Sequence, residues 1–146
     1  MAWSSSLTRF LRRFAITLLG FSLKARLNPR EVLSRFLPRR DWYKDGVVLP
    51  DAFMPRRGET SMYRLGGVST WRIMSLGRLV TSAFTNGALH GRAYLVAEDV
   101  LAVDGLRLKA ERLSLHAGIQ GWPEKPRAKY LAMLLSDKAR LEIYMR

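Results

Sequence analysis

The segment Arg112–Met145, RLSLHAGIQGWPEKPRAKYLAMLLSDKARLEIYM, changes hydrophobic period partway along, and that change decides the fold class. From Arg112 to Gln120, apolar Leu113, Leu115, Ala117 and Ile119 alternate with Arg112, Ser114, His116, Gly118 and Gln120, the period of a half-buried strand. After Pro123 the period lengthens, and Ala128, Leu131, Ala132, Leu135 and Ala139 recur at helical spacing. A closing strand runs towards Met145. Such a helix can bury its stripe only against a sheet, so Leu115 and Ile119 are expected to face Leu131 and Leu135. His116 and Gln120 then point to the other, polar face. At the corner, Gly121 permits a backbone barred to other residues, and Pro123 and Pro126 suit a helix's first turn. Trp122 is expected to fold over the core edge.

Working outward, Ser61–Leu65 reads as a strand closed by the Gly66-Gly67 turn. Ser69 is a good cap for a helix through Trp71, Met74, Leu76, Leu79 and Val80 to about Phe84, ended by Asn86-Gly87. Leu89–Ala97 reads as a strand, Glu98–Val103 as a helical turn ended by Asp104-Gly105, and Leu106 with Leu108 opens another strand. The order from residue 61 is β-α-β-α-β-β-α-β. This predicts an α+β domain over 61–146, with helices packed on a small mixed or antiparallel sheet.

The N-terminal third reads differently. A helix is expected from about Ser6, with Ser4, Ser5 or Ser6 as cap. On it Leu7, Phe10, Leu11, Phe14, Leu18 and Phe21 fall within an arc of about 100°, while Arg9, Arg12 and Arg13 lie opposite. Phe14–Leu23 is apolar for only ten residues, well short of the ~20 a bilayer span needs. Ser22-Leu23-Lys24-Ala25 is a poor signal-peptide cleavage site, although the acid-free start suits a transit peptide. Asn28-Pro29 breaks the chain, and Arg30–Phe36 has the spacing of a short second helix. Residues 1–37 thus read as a basic amphipathic arm. Residues 38–60, with paired arginines and three prolines, read as an irregular connection carrying a short strand at Val47–Leu49. On this division 45–146 closes its own core and folds without the arm.

Composition bounds the function. The 146 residues hold one ordinary core, and a 48% hydrophobic content rules out global disorder. No cysteine is present, which excludes disulfides and thiolate metal sites, and two histidines cannot build a His-rich one. Twenty-five basic residues against twelve acids leave a net charge of +13, and residues 1–40 alone carry nine basic residues and a single acid, Glu31. That balance favours an anionic partner: nucleic acid, an acidic membrane surface or an acidic protein.

GETSMYRLGGVS, GRAYLVAEDVLAVDGLRL and HAGIQGWPEKPRAKYLAMLLSDKARLEI together resemble a group of small uncharacterised bacterial proteins. That group shares a hydrophobic-Tyr/Phe-Arg strand and a His-Ala-x-Ile-x-Gly-Trp-Pro segment. The latter is matched here by His116, Ala117, Ile119, Gly121, Trp122 and Pro123. The likeness covers residues 45–146 and brings no activity with it. It implies a bacterial, cytoplasmic origin.

Few residues carry chemistry. His116 is the weak catalytic candidate, as a base beside Ser114 or a carboxylate, or as a phosphate ligand; the alternative is a ring that orders the corner. His90 reads as structural. Glu98, Asp99, Asp104 and Glu111 match no metal spacing, and no phosphate-binding glycine loop or nucleophile elbow is present. No cofactor or metal is expected. The remaining pattern is arginine interleaved with aromatics, which suits phosphate oxygens and unpaired bases. The leading expectation is a non-enzymatic basic protein contacting RNA or DNA through Arg9, Arg12, Arg13, Arg39, Arg40, Trp42, Arg56 and Arg57. Two alternatives stay open. The amphipathic helix docks on an anionic membrane or a protein partner, or the chain is a small enzyme using His116 on a phosphorylated substrate.

Overall fold

Val32–Leu37 (VLSRFL) forms a strand, β1, where its spacing predicts a short helix. Leu33, Phe36 and Leu37 sit at helical intervals because both faces of β1 are covered, so apolar residues fall on both alternation classes. The structure is a computed structural model that describes residues 5–24 and 26–144. Ser4, Ala25 and Met145, weighed above as cap, cleavage-site residue and strand end, lie outside the described residues.

The elements follow in order: helix α1 (Ser5–Leu19), β1, a short hairpin of β2 (Tyr43–Lys44) and β3 (Val47–Val48), and β4 (Thr60–Tyr63). Then come α2 (Thr70–Thr81), β5 (Gly91–Val96), α3 (Ala97–Leu101), β6 (Arg107–Ala110), β7 (His116–Gln120), α4 (Arg127–Lys138) and β8 (Arg140–Ile143). From residue 61 onward the order is the one expected, with strand ends moved by one to four residues. The largest shift is at β7, where Arg112 and Leu113 form a turn, with Leu113 at φ 58°, and Ser114 makes an isolated bridge to Phe21 outside the strand. Ser69 caps α2 by accepting from the Arg72 backbone N–H. The hairpin turns on Asp45 and Gly46, both at positive φ, as a tight two-residue turn requires.

Six strands form one antiparallel sheet in the order β6-β7-β4-β1-β5-β8. The fold is α+β. The expected division at residue 37 puts the sheet's interior strand outside the domain, and it is overturned by pairing. β1 pairs with β5 along its whole length, from Val32↔Val96 to Leu37↔Gly91, and touches β4 at Ser34↔Tyr63. β1 lies between β4 and β5, and those two strands join one sheet through it.

The sheet separates two cores. On one face Leu33, Leu37, Met62, Ala93, Leu95, Ala117 and Ile119 meet Leu131, Ala132 and Leu135 of α4, together with Val100 of α3 and Phe53 of the 50–53 turn. On the other, Phe36 and Tyr63 meet Leu76 of α2 with Leu65 and Leu89, and Ile16 and Leu19 of α1 close over them. Ile119 faces Leu131 and Leu135 as expected. Leu115 does not: it joins the second core, because it precedes the strand and the turn at Leu113 rotates it to the opposite side. Trp122 folds over the first core, its indole N–H donating to the Ile119 carbonyl at 3.1 Å. No helix among the described residues is long and apolar enough to cross a membrane.

Candidate functional site

The cleft lies beneath α1, on the β4–β7 half of the second face. Two features of the chain fasten the helix there. Gly20–Ser22 runs beside the 113–115 turn, with Leu115 N–H donating to the Gly20 carbonyl and Ser22 N–H to that of Leu113. From α2, the Arg72 guanidinium donates to the carbonyls of Leu19 and Phe21. Ile16 and Leu19 therefore face inward. Thus the helix docks through the side that carries Arg12, and its expected apolar stripe is turned outward. Phe10, Phe14 and Leu18 are 63%, 56% and 60% exposed, and Leu11, Phe21 and Leu23 are exposed beside them. Arg9 and Arg13 are exposed on the same helix, and Arg12 is half-buried.

Under the helix, the strand pairing brings together residues that are distant in sequence. Tyr63 pairs with His116 across β4 and β7, and their rings meet edge to face at 5.5 Å. Gly118 lacks the side chain that would collide with Glu59, and the Glu59 carboxylate crosses the strand there. That carboxylate accepts from Gln120 Nε2 at 2.8 Å and lies 3.5 Å from His116 Nε2. On the ring's other side Nδ1 lies 3.1 Å from Glu111 Oε1, close enough for an ion pair but at an angle that makes no hydrogen bond. His116 was expected to face outward or into a groove on the side away from α4; its side chain is only 15% exposed and lines a cavity. The face opposite α4 has its own helical layer, which a single strand's alternation does not reveal. A cavity of about 480 Å³, lined by Ile16, Phe21, Tyr63, Glu111, Ser114 and His116, opens beside the ring.

Beyond Tyr63 lies a second cavity, of about 500 Å³, where Arg35, Arg56 and Arg57 converge with Ser61 and Phe84. It exists because β1 and β4 part after Ser34↔Tyr63. At the opening the Arg35 guanidinium replaces ladder bonds, donating to the carbonyls of Ser61 (3.1 Å) and Ala52 (3.0 Å). Arg35 is 4% exposed. Its guanidinium lies 5.1 Å from the Trp42 ring centroid, and that of Arg56 lies 4.0 Å from Phe84. Trp42 and Phe84 themselves meet edge to face at 5.5 Å, so two cations share one aromatic pair. Burial pushes Arg35 down to about 10, opposed by Tyr63 and reinforced by Arg56. Arg56 is lowered by burial and then by Arg39. Burial pushes the Tyr63 phenol up to about 12, against the pull of Arg35.

Several residues expected to touch nucleic acid are otherwise placed. Trp42 is buried in the first core and offers no stacking face, a correction forced by its contact with Phe84 and the two arginines. Arg39 pairs with Asp41 at 3.1 Å on the surface, and Arg40, Arg56 and Arg57 are exposed. Other arginines are fasteners: Arg64 on Glu31, Arg92 on Glu142 and Ser34, and Arg72 on the end of α1. His90 lies beside Tyr43, its Nδ1 buried without a hydrogen bond. Among the described residues no group of acidic and histidine side chains could hold a metal ion. Sequence reading missed Arg35, Glu59, Ser61 and Tyr63. Only an arginine set within an apolar run could have flagged the first, and the others meet His116 or Arg35 through strand pairing. No family model, curated protein or solved structure matches the chain.

Proposed function

We propose that the protein is a non-enzymatic basic binding protein that attaches to an anionic membrane surface through α1. One observation carries this reading: Phe10, Phe14 and Leu18 stand more than half exposed along one side of a helix whose opposite side is fastened to the body. A contiguous apolar stripe left in water on a folded chain is an interaction surface. Its length fits a helix lying in the plane of a lipid headgroup layer. The charge selects the lipid. Arg9, Arg13, Lys24 and Arg26 are exposed on or just beyond the helix, and residues 1–40 hold one acid. Each such cation near an anionic leaflet adds about 1 kcal/mol. Burying the exposed parts of Phe10, Phe14 and Leu18 adds roughly 1–2 kcal/mol apiece.

Sedimentation with vesicles tests it. Binding to phosphatidylserine-containing vesicles should exceed binding to neutral phosphatidylcholine, and Phe10→Ser with Phe14→Ser should lower the partition coefficient by about two orders of magnitude. Equal binding by that variant, at unchanged stability, refutes the reading. A second reading, contact with RNA or DNA, is supported by the exposed guanidiniums of Arg40, Arg56 and Arg57. It predicts affinity that falls with salt at a slope near −0.7 to −0.9 per phosphate contact, flattened by replacing Arg39, Arg40, Arg56 and Arg57 with Ala. Without Trp42 as a platform, such contact is confined to the backbone.

A further inference from the structure

The cavity between α1, β4 and the 56–57 corner gathers three guanidinium groups, of Arg35, Arg56 and Arg57, against a single lining carboxylate, Glu59. Among the described residues no carboxylate pairs with Arg35, Arg56 or Arg57; the ion pairs of this chain lie elsewhere. The Glu59 carboxylate lines the cavity but pairs with none of the three arginines: it is drawn over Gly118 towards Gln120 and His116. Arg35 is buried, has spent donors on two carbonyls, and keeps the rest of its fork for what enters. A buried guanidinium without a counter-charge is costly, and aromatic faces offset only part of that cost.

We propose that this cavity binds a small phosphomonoester, its phosphate group held by Arg56 and Arg57 in front of the buried charge of Arg35. The charge selects phosphate over carboxylate: a phosphomonoester carries close to two negative charges at neutral pH and three acceptor oxygens, which match converging guanidinium forks. The size selects an ester over the free ion, since about 500 Å³ lies in the range of small-molecule sites and far exceeds inorganic phosphate. Tyr63 and Ile16 line both this cavity and the one beside His116, so the body of the ligand lies along Tyr63 towards the Glu59–His116–Gln120 group. That group offers carboxylate oxygens to ligand hydroxyls. The site requires no membrane and stands independently of the exposed stripe of α1.

Calorimetric titration of the full chain with AMP, inorganic phosphate and adenosine tests the proposal in the absence of lipid. AMP should bind, inorganic phosphate should compete more weakly, and adenosine should not bind. Arg56→Ala with Arg57→Ala should weaken AMP by at least tenfold, while Arg56→Lys with Arg57→Lys retains part of the affinity. Both residues are exposed, although Arg56 lies over the Phe84 ring, so the unliganded variants should melt a little below the parent at most. A cooperative transition well above the titration temperature then excludes unfolding as the cause. Absence of AMP binding at millimolar concentration, equal binding of adenosine, or undiminished AMP affinity in the Ala variant overturns the site.

Discussion

Glu31→Gln measures how firmly the segment ahead of β1 is built into the body. Arg64, just past β4, grips the Glu31 carboxylate with two bonds, from Nε at 2.5 Å and from the terminal guanidinium nitrogen at 2.9 Å. The arginine side chain is 4% exposed and the glutamate 17%. Breaking a fully buried pair costs about 3–5 kcal/mol, and the partial exposure of Glu31 brings the expected loss to about 2–4 kcal/mol. Gln keeps the shape and sets a neutral amide against a buried guanidinium. For a chain of this size that loss corresponds to a fall in Tm of roughly 5–15 °C.

The pH dependence supplies the decisive check. Hydrogen bonds from Arg64 hold the Glu31 carboxyl below its ordinary 4.5, against the opposing effect of burial and helped by the Arg64 charge. A lowered folded pKa contributes stability that is complete above 4.5 and is lost as pH falls through the folded value. Urea unfolding followed by circular dichroism should therefore show a wide gap between parent and variant at neutral pH. The gap should close once the pH has fallen through the parent's lowered folded pKa, where its carboxyl is also neutral. As a control, Glu142→Gln removes the more exposed pair with Arg92 and should cost at most about 1 kcal/mol. A Glu31 gap under about 0.5 kcal/mol at neutral pH, or one that persists in acid, refutes the role assigned to the pair.

Two further outcomes test the fold. Removing residues 1–37 takes away β1 and should leave an unfolded or aggregating chain by circular dichroism, whereas the sequence division predicts a folded 45–146 domain. Leu131→Ala and Leu115→Ala should each cost about 2–5 kcal/mol. Because the sheet lies between the two positions, their effects in the double variant should add within about 0.5 kcal/mol.

What the sequence by itself determined is local. The change of period after Pro123, the Ser69 cap and the turns at Asn86-Gly87 and Asp104-Gly105 specified the element order from residue 61 onward. The reason is that propensity, capping and one-sided burial are written into neighbouring residues. The amphipathic helix at the N-terminus was legible in the same way. Its stripe was legible too, but not the direction it faces: Ile16 and Leu19, outside the stripe, are the residues that dock.

Tertiary structure decided the rest. VLSRFL shows no strand period because both of its faces are covered, and only pairing with β4 and β5 makes it an interior strand. The candidate site depends on the same non-local pairing. Arg35 reaches Ser61 across 26 positions, and Glu59 reaches Gln120 across 61. Trp42 looked like a surface platform amid charged neighbours, yet Phe84, from the turn beyond α2, packs against it in the core. Contacts between segments that far apart leave no periodic trace in a single chain, because each residue's partner is fixed by sheet register and not by its neighbours in sequence.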